Sequence, residues 1–250
     1  MMRQERDIGI SGRFPATRWS LIESARSPEA QQRQRALDVL IAAYWKPIYK
    51  HIRMKWQKDI EDAKDLTQEF FSRAVERDFF ASFDPGRARL RTFLRTCVDR
   101  FVANENQAAQ RVKRGGEFQF VALDFENAEG ELRTRELPAS ETPDDFFARE
   151  WVRSLFEMAV EQLRRECESA GKAIHFELFK SYDIEEGGRE LTYEQAARQY
   201  GIKASDVTNY LAHARREFRR IVLEQVRLST ASEEEFRNEA RALLGFEVKG

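Results

Sequence analysis

Apolar residues recur at every third or fourth position along several long stretches of this sequence, which is the spacing of one face of an α-helix. The clearest stretches carry Leu90, Leu94, Val98 and Phe101, and later Val207, Leu211, Ala214 and Phe218. The 250 residues include 12 glycines and 6 prolines, so residues that break helices are few. The pattern predicts an all-α protein, and the length suits two small helical domains.

Charge is distributed unevenly along the chain. Residues 85–116 hold eight basic and two acidic residues, whereas residues 117–150 hold ten acidic and three basic residues. Residues 136–143 also contain two prolines among small polar residues, a composition typical of turns. We therefore expect two helical domains joined by an acidic linker, although a solubilising role is the simpler explanation of the acidic stretch.

The sequence carries no signal for membrane insertion or for a covalent or metal site. The longest apolar run, residues 39–45, is too short to span a bilayer, and residues 1–14 lack the apolar segment of a signal peptide. Cys97 and Cys167 have no metal-ligand spacing. We expect a cytoplasmic protein without a disulfide, a metal site or a cofactor.

One predicted helix, over residues 60–77, has an acidic face opposite its apolar face. Ala63 and Phe70 fall on the apolar side, whereas Asp62, Asp65 and Glu69 follow one another at helical spacing on the other. These three carboxylates define the acidic ridge. A ridge of this kind indicates a binding surface for a partner or, more simply, a face that contacts solvent.

The next predicted helix has a basic outer face. Arg87, Arg91 and Arg95 repeat every four residues, and Arg111, Lys113 and Arg114 cluster near its far end, where they could neutralise phosphates. The simpler interpretation is a charged helix surface on which Arg95 pairs with Asp99.

Residues 191–226 have the pattern of a helix-turn-helix. Thr192 can cap a first helix, Gly201 can end it, and Ser205 can cap a second. In such a unit the second helix enters the major groove, so Asn209 and His213 would reach base edges. Arg215, Arg216, Arg219 and Arg220 would meet phosphates. A helical hairpin with a solvated face is the alternative.

These segments together resemble a known family, the extracytoplasmic-function (ECF) bacterial sigma factors. Residues 44–49 (Tyr-Trp-Lys-Pro-Ile-Tyr), 62–71 and 83–87 look like successive parts of sigma region 2, and residues 191–216 look like region 4. Residues 14–21, 103–116 and 229–245 are similar to a long subgroup with a C-terminal extension. Several matches in the right order are stronger evidence than one.

The resemblance implies roles for named residues. In such factors the acidic helix docks on the clamp helices of the polymerase β′ subunit, the next helix opens the minus-10 element and the helix-turn-helix reads the minus-35 element. Polymerase binding is then assigned to Asp62, Asp65, Leu66, Gln68 and Glu69. Minus-10 binding is assigned to Arg87, Arg91, Phe93, Arg95, Asn104, Arg111, Lys113 and Arg114. Minus-35 binding is assigned to Ser205, Thr208, Asn209, His213, Arg215 and Arg216.

The same resemblance implies a domain division and partners. An N-terminal extension with a short helix would cover residues 1–29, region 2 residues 30–116, the acidic linker residues 117–143, region 4 residues 144–228 and a helical C-terminal extension residues 229–250. The implied partners are core RNA polymerase, through the β′ clamp helices and the β flap, and promoter DNA. An anti-sigma factor or another regulator would be a further partner. The protein would not be an enzyme, and would associate with the nucleoid when bound to polymerase.

The sequence departs from the family pattern at two places. Phe93 stands where many relatives have tryptophan, and its spacing also places it on the apolar face. Residues 206–210 (Asp-Val-Thr-Asn-Tyr) replace a more basic run in the recognition helix. The promoter sequence therefore cannot be transferred from relatives.

Two other functions stay open at this level. A helix-turn-helix regulator that never contacts polymerase would leave the acidic ridge without a ligand. A metal-dependent hydrolase would use Asp62, Asp65 and Glu69 to hold a divalent ion, but no histidine lies near them in the sequence. A further hypothesis is that the acidic linker folds over the basic surfaces and weakens DNA binding by the free protein.

Overall fold

The computed structural model describes residues 21–76, 79–108, 123–133, 141–185 and 191–244. Within these ranges the regular structure is helical and contains no strand, which confirms the all-α prediction. The helices are α1 (Leu21–Ala25), α2 (Ala30–Lys55), α3 (Ile60–Glu76), α4 (Leu90–Ala108), α5 (Phe125–Arg133), α6 (Pro143–Ser169), α7 (Ala173–Phe179), α8 (Tyr193–Tyr200), α9 (Ala204–Leu228) and α10 (Glu233–Leu244). None of these helices is both long and apolar enough to cross a bilayer.

Helix α2 lies in the centre of the larger core and passes through Pro47 without a break. Because proline cannot donate to the helical ladder, the sequence predicts either two helical pieces or one kinked piece. The structure has one continuous helix, so the prediction of two helical pieces is wrong. Tyr44, Ile48 and Ile52 on this helix are fully buried, and their packing offsets the missing hydrogen bond.

The larger core joins residues from both halves of the chain. It includes Leu40 of α2, Phe70 of α3 and Leu94 of α4, together with Leu155 of α6 and Val222 of α9. Helix α6 therefore packs against α2 on one side and against α9 on the other. In this structure the two predicted domains share a core, and the predicted boundaries between them stay a prediction.

A smaller core holds the helix-turn-helix together. Leu178, Tyr182, Ala196, Val207 and Leu211 form its centre. A reciprocal capping box between Thr192 and Gln195 begins α8, and Gly201 ends it with a positive φ of 66°. Both features agree with the sequence pattern.

The start of the recognition helix differs from the expectation by two residues. Ser205 was expected to cap α9, but α9 begins at Ala204 with Lys203 at the N-cap. The carboxylate of Asp206 accepts a hydrogen bond from the Lys203 backbone N–H at 3.2 Å. The capping prediction for Ser205 is therefore wrong, because an acid three residues after Lys203 satisfies the free N–H there.

The segment predicted to be an acidic linker contains a helix, α5, which packs on α2. Phe125 and Ala128 are buried, and the Tyr49 hydroxyl donates to Glu129 at 2.7 Å. Glu131 pairs with Lys46 at 2.6 Å and also with Lys50. The described part of the linker thus neutralises bases of α2. The hypothesis that the linker covers the basic face of α4 receives no support from α5.

Candidate functional site

The acidic ridge lies on the outer side of α3. Asp62, Asp65 and Gln68 are exposed, and Leu66 and Glu69 are half-buried. The opposite side is buried through Ala63, Thr67 and Phe70, and the Thr67 hydroxyl donates to the Ala63 carbonyl at 2.7 Å. All five residues predicted for polymerase binding therefore lie together on one helix. Their side chains reach solvent because the helix buries its other face in the core.

Helix α5 begins beside this ridge. Asp65 and Gln68 line a shallow groove whose other wall is formed by Leu123, Asp124 and Glu126. Glu69 accepts from Arg73 at 2.8 Å, and Arg73 also pairs with Glu105 of α4 at 2.8 Å. Asp124 and Glu126 thus add negative charge beside the ridge, and Lys64 lines the same groove.

The residues predicted on the basic face of α4 differ in their exposure and in whether they pair with acidic side chains. Arg87, just before the helix, is 87% exposed, and Asn104 near its end is exposed as well. Arg91 donates to Glu239 at 2.5 Å, and its guanidinium also lies over the Trp151 ring. Arg95 donates to Asp99 at 2.9 Å and to Asp144 at 2.8 Å. The pairing of Arg95 with Asp99 agrees with the simpler interpretation of this helix.

The minus-10 prediction also includes Phe93 and the basic cluster at residues 111–114. Phe93 is half-buried and packs against Phe79 and Phe83, with ring centroids 5.8 and 4.9 Å away. Its contacts are those of a core residue, as its spacing indicates. Arg111, Lys113 and Arg114 lie outside the described residues.

The recognition helix presents a polar face at its start. Ser205, Thr208 and Asn209 are exposed, and Arg216 is exposed on the next turns. Arg215 donates two hydrogen bonds to Asp183, at 2.9 and 3.1 Å. The predicted base-reading residues therefore share one surface, and Arg215 is held at its edge by a neighbouring segment.

A family model described as ECF sigma factor matches residues 19–202, well over half of the chain. The chain belongs to the ECF sigma factor family. No curated protein and no solved structure matches it. Members of this family are transcription factors without enzymatic activity, and core RNA polymerase and promoter DNA are the partners that the family implies. The protein is therefore a sigma factor of transcription initiation, and the hydrolase alternative does not fit the family.

The carboxylates in the described part of the sigma factor form no cluster that could hold a metal ion. Across the described ranges, no group of three or more histidine, cysteine, aspartate or glutamate side chains has an arrangement that could hold a metal ion. The ridge residues Asp62, Asp65 and Glu69 lie along one helix face, as their spacing indicates. Their arrangement suits contact with a protein surface.

The neighbours of His213 in the sigma factor, Lys172 and His175, were not predicted from the sequence. His213 is half-buried, its Nε2 lies 3.1 Å from Lys172 Nζ, and its ring meets His175 edge-on at 5.0 Å. His175 also stacks on Tyr210 at 4.0 Å. Burial lowers the pKa of His213, and the neighbouring Lys172 lowers it further. His213 is thus held as a neutral ring beside the recognition surface.

The sequence also missed the carboxylates that pair with the basic helix. Asp144, Glu235 and Glu239 come from the C-terminal half, and Arg89 joins Arg91 in binding Glu239. Helical spacing could not reveal these contacts, because it reports neighbours along one helix only. The charge reversal after residue 116 includes Asp144 but not Glu235 or Glu239.

Asp99 connects α4 to the core through a network of hydrogen bonds. Its carboxylate accepts from His51 at 2.9 Å, Lys55 at 2.7 Å and Trp56 at 3.0 Å, in addition to Arg95. Burial alone would raise the pKa of Asp99, but the hydrogen bonds from His51 and Lys55 lower it well below its ordinary value. This network fixes the direction in which α4 presents Arg95.

Replacing Asp99 with asparagine is expected to lower the free energy of unfolding by about 2 kcal/mol at pH 7, because charge-assisted hydrogen bonds are lost. Since the pKa is depressed in the folded state, this contribution is complete above the ordinary carboxyl pKa of about 4 and is lost as the pH falls below it. Urea unfolding at neutral and acidic pH measures the difference.

The control for this prediction is Asp38→Asn, because Asp38 accepts a hydrogen bond from Gln34 on its own helix. This variant should change stability by less than about 0.5 kcal/mol at either pH. A difference between wild type and Asp99→Asn that stays constant from neutral to acidic pH would contradict the role of the ionised carboxylate.

Proposed function

We propose that the acidic ridge of α3 binds core RNA polymerase at the clamp helices of the β′ subunit. The observation that carries the proposal is the exposure of Asp62, Asp65 and Gln68 on a helix whose other face is fixed in the core. A rigid, exposed carboxylate surface favours association with a basic partner surface. Leu66 and Glu69 lie at the margin of this surface and complete the contact.

The basic side of α4 would then hold the minus-10 element. Arg87, just before α4, and Asn104 near the end of α4 are exposed, and Arg91 and Arg95 of α4 lie between them in the sequence. Arginines along one helix face neutralise successive phosphates, which fixes the position of the DNA without reading its sequence. Arg111, Lys113 and Arg114 would extend the basic surface toward the end of region 2, at residue 116.

The recognition helix α9 would read the minus-35 element in the major groove. Ser205, Thr208 and Asn209 are exposed on its first turns, where such helices contact base edges. His213 would add a contact through its neutral ring, and Arg215 and Arg216 would bind the backbone. Region 4, over residues 144–228, would also contact the β flap of polymerase. Bound to polymerase, the factor would lie with the nucleoid, where an anti-sigma factor would compete for these surfaces.

Transcription by purified core polymerase on a library of promoter templates tests this proposal. The wild-type factor should direct selective initiation. In the variant Asp62→Ala/Asp65→Ala/Glu69→Ala the amount of selective initiation should fall about tenfold or more, because several interface charges are removed. Co-purification with core polymerase should fall in parallel.

A matched control removes three exposed acids elsewhere, in the variant Glu29→Ala/Glu177→Ala/Glu234→Ala. This variant has the same change in net charge and should initiate as the wild type does. An equal loss of initiation in the ridge variant and in this control would show a general effect of net charge. DNA binding without any polymerase-dependent initiation would favour the polymerase-independent regulator.

A further inference from the structure

The C-terminal helix α10 lies against the start of the basic helix α4. Glu239 of α10 is only 4% exposed and accepts hydrogen bonds from Arg89 at 2.9 Å and from Arg91 at 2.5 Å. One buried carboxylate therefore binds two arginines, Arg89 just before α4 and Arg91 in its first turn. The bond to Arg91 spans 148 residues of sequence, so it depends entirely on how the two halves pack.

A second carboxylate of α10 binds the beginning of the α4 backbone. Glu235 accepts from the backbone N–H of Leu90 at 2.8 Å and from that of Ala231 at 2.9 Å. The first N–H groups of a helix are unpaired within the helix and bind anions readily, phosphates included. Burial raises the pKa of Glu235, although the two N–H donors oppose this.

A third carboxylate from the C-terminal half covers the next arginine. Asp144, in the first turn of α6, pairs with Arg95 at 2.8 Å. Arg89, Arg91 and Arg95 are thus all bound to acids that lie far from them in sequence. Carboxylates and phosphates bind guanidinium groups through the same forked geometry, so the two anions compete for the same donors.

Apolar contacts hold α10 in this position. Phe236 and Ala240 are buried in the larger core, and the Arg227 guanidinium lies 4.2 Å from the centre of the Phe236 ring. Just before α10, the Tyr44 hydroxyl donates to the Ser229 carbonyl at 2.9 Å. Helix α10 lies beyond residues 19–202, the part of the chain that the ECF family model matches.

We propose that α10 is an autoinhibitory element, whose carboxylates occupy the phosphate-binding groups of α4 until the helix is displaced. The inference rests on the proposed function of α4 in binding the minus-10 element. In the free factor Arg89 and Arg91 are held by Glu239, so DNA gains no net ion pair from them. Displacement of α10 on assembly with polymerase frees both guanidinium groups for the phosphates.

The test measures binding of a fluorescein-labelled single-stranded DNA of mixed sequence to the full-length factor by fluorescence anisotropy. The variant Glu239→Gln keeps the side-chain size but removes the charge. It should bind about tenfold more tightly than wild type at low salt, since two cations are released from one anion. The slope of log K against log salt should also steepen by about 1.4, the value for two additional single-strand phosphates.

Three further variants distinguish loss of the Glu239 charge from loss of the fold. Glu234→Gln removes an exposed charge from the same helix and should bind as wild type does. Phe236→Ala undocks α10 through its apolar contact, without any change in charge, and should reproduce the gain. Adding Arg89→Ala and Arg91→Ala to Glu239→Gln should abolish the gain in DNA affinity. A gain caused by unfolding would persist in this combined variant.

Unchanged affinity and salt slope in Glu239→Gln would overturn the inference. Promoter-specific transcription by the wild-type factor is scored separately. If transcription is selective but Glu239→Gln has no effect on DNA binding, the autoinhibition fails and the proposed function stands. If the affinity rises but no template is transcribed selectively, the proposed function fails and the masking of α4 stands.

Discussion

Replacing Trp151 with alanine is expected to lower the free energy of unfolding by about 3–5 kcal/mol, the usual cost of removing a large buried aromatic side chain. Trp151 of α6 is 1% exposed and stacks on Tyr44 of α2, with ring centroids 6.5 Å apart. The Arg91 guanidinium of α4 lies 5.2 Å from the centre of the ring. One side chain thus fills the space where three helices meet, and its loss leaves a cavity there.

Chemical denaturation monitored by circular dichroism measures this loss. Trp151→Phe, which keeps an aromatic ring, should cost less than Trp151→Ala. Tyr193→Ala is the matched control, because Tyr193 is one of two large hydrophobic side chains that are exposed among the described residues. It should cost less than about 1 kcal/mol. Similar losses for Trp151→Ala and Tyr193→Ala would contradict the importance of this junction.

Replacing Glu150 with alanine is expected to cost about 3 kcal/mol, because a buried charge loses one of its partners. Lys50 and Glu150 are each 1% exposed and pair at 2.7 Å between α2 and α6. Burial lowers the pKa of Lys50, which shows that its charged form is poorly solvated there. Glu131 still binds Lys50 in the variant, so we expect the lower end of the usual range.

The double variant Lys50→Met/Glu150→Met should recover most of the loss, since an apolar pair of similar size needs no compensating charge. Glu157→Ala is the control, because Glu157 binds Lys46 at 2.6 Å but is 41% exposed. It should cost less than about 1 kcal/mol. If Glu150→Ala and Glu157→Ala are equally destabilising in urea, burial of the pair is not the cause.

The helices of this sigma factor could be predicted from the sequence where their signals are local. Apolar spacing placed α3 and α4, and the pair Thr192 and Gly201 gave the bounds of α8 correctly. Of the two predictions made for Pro47, two helical pieces is wrong, because the local cost of proline is offset by the tertiary packing of Tyr44 and its neighbours. Helix α5 was not predicted because its apolar residues are few and its acids find their partners on α2.

The candidate surfaces were predictable to a similar degree. The ridge of Asp62 and Asp65 follows directly from helical spacing, and its exposure depends only on which face is apolar. The pairing of Arg91 with Glu239 was not predictable, because the packing of the shared core brings the two residues together. Phe93 lies between these cases, because its spacing placed it in the core while the family pattern pointed to DNA.

The shared core couples the positions of α4 and α9 in the free factor. Helix α6 packs against both α2 and α9, and Leu155 of α6 and Val222 of α9 belong to the same core as Leu94 of α4. A change in the distance between α4 and α9 would therefore expose apolar surface to water, at a cost of roughly 25 cal/mol for each Å². The packing of α6 thus sets the spacing between the two proposed DNA-binding surfaces that the free factor presents.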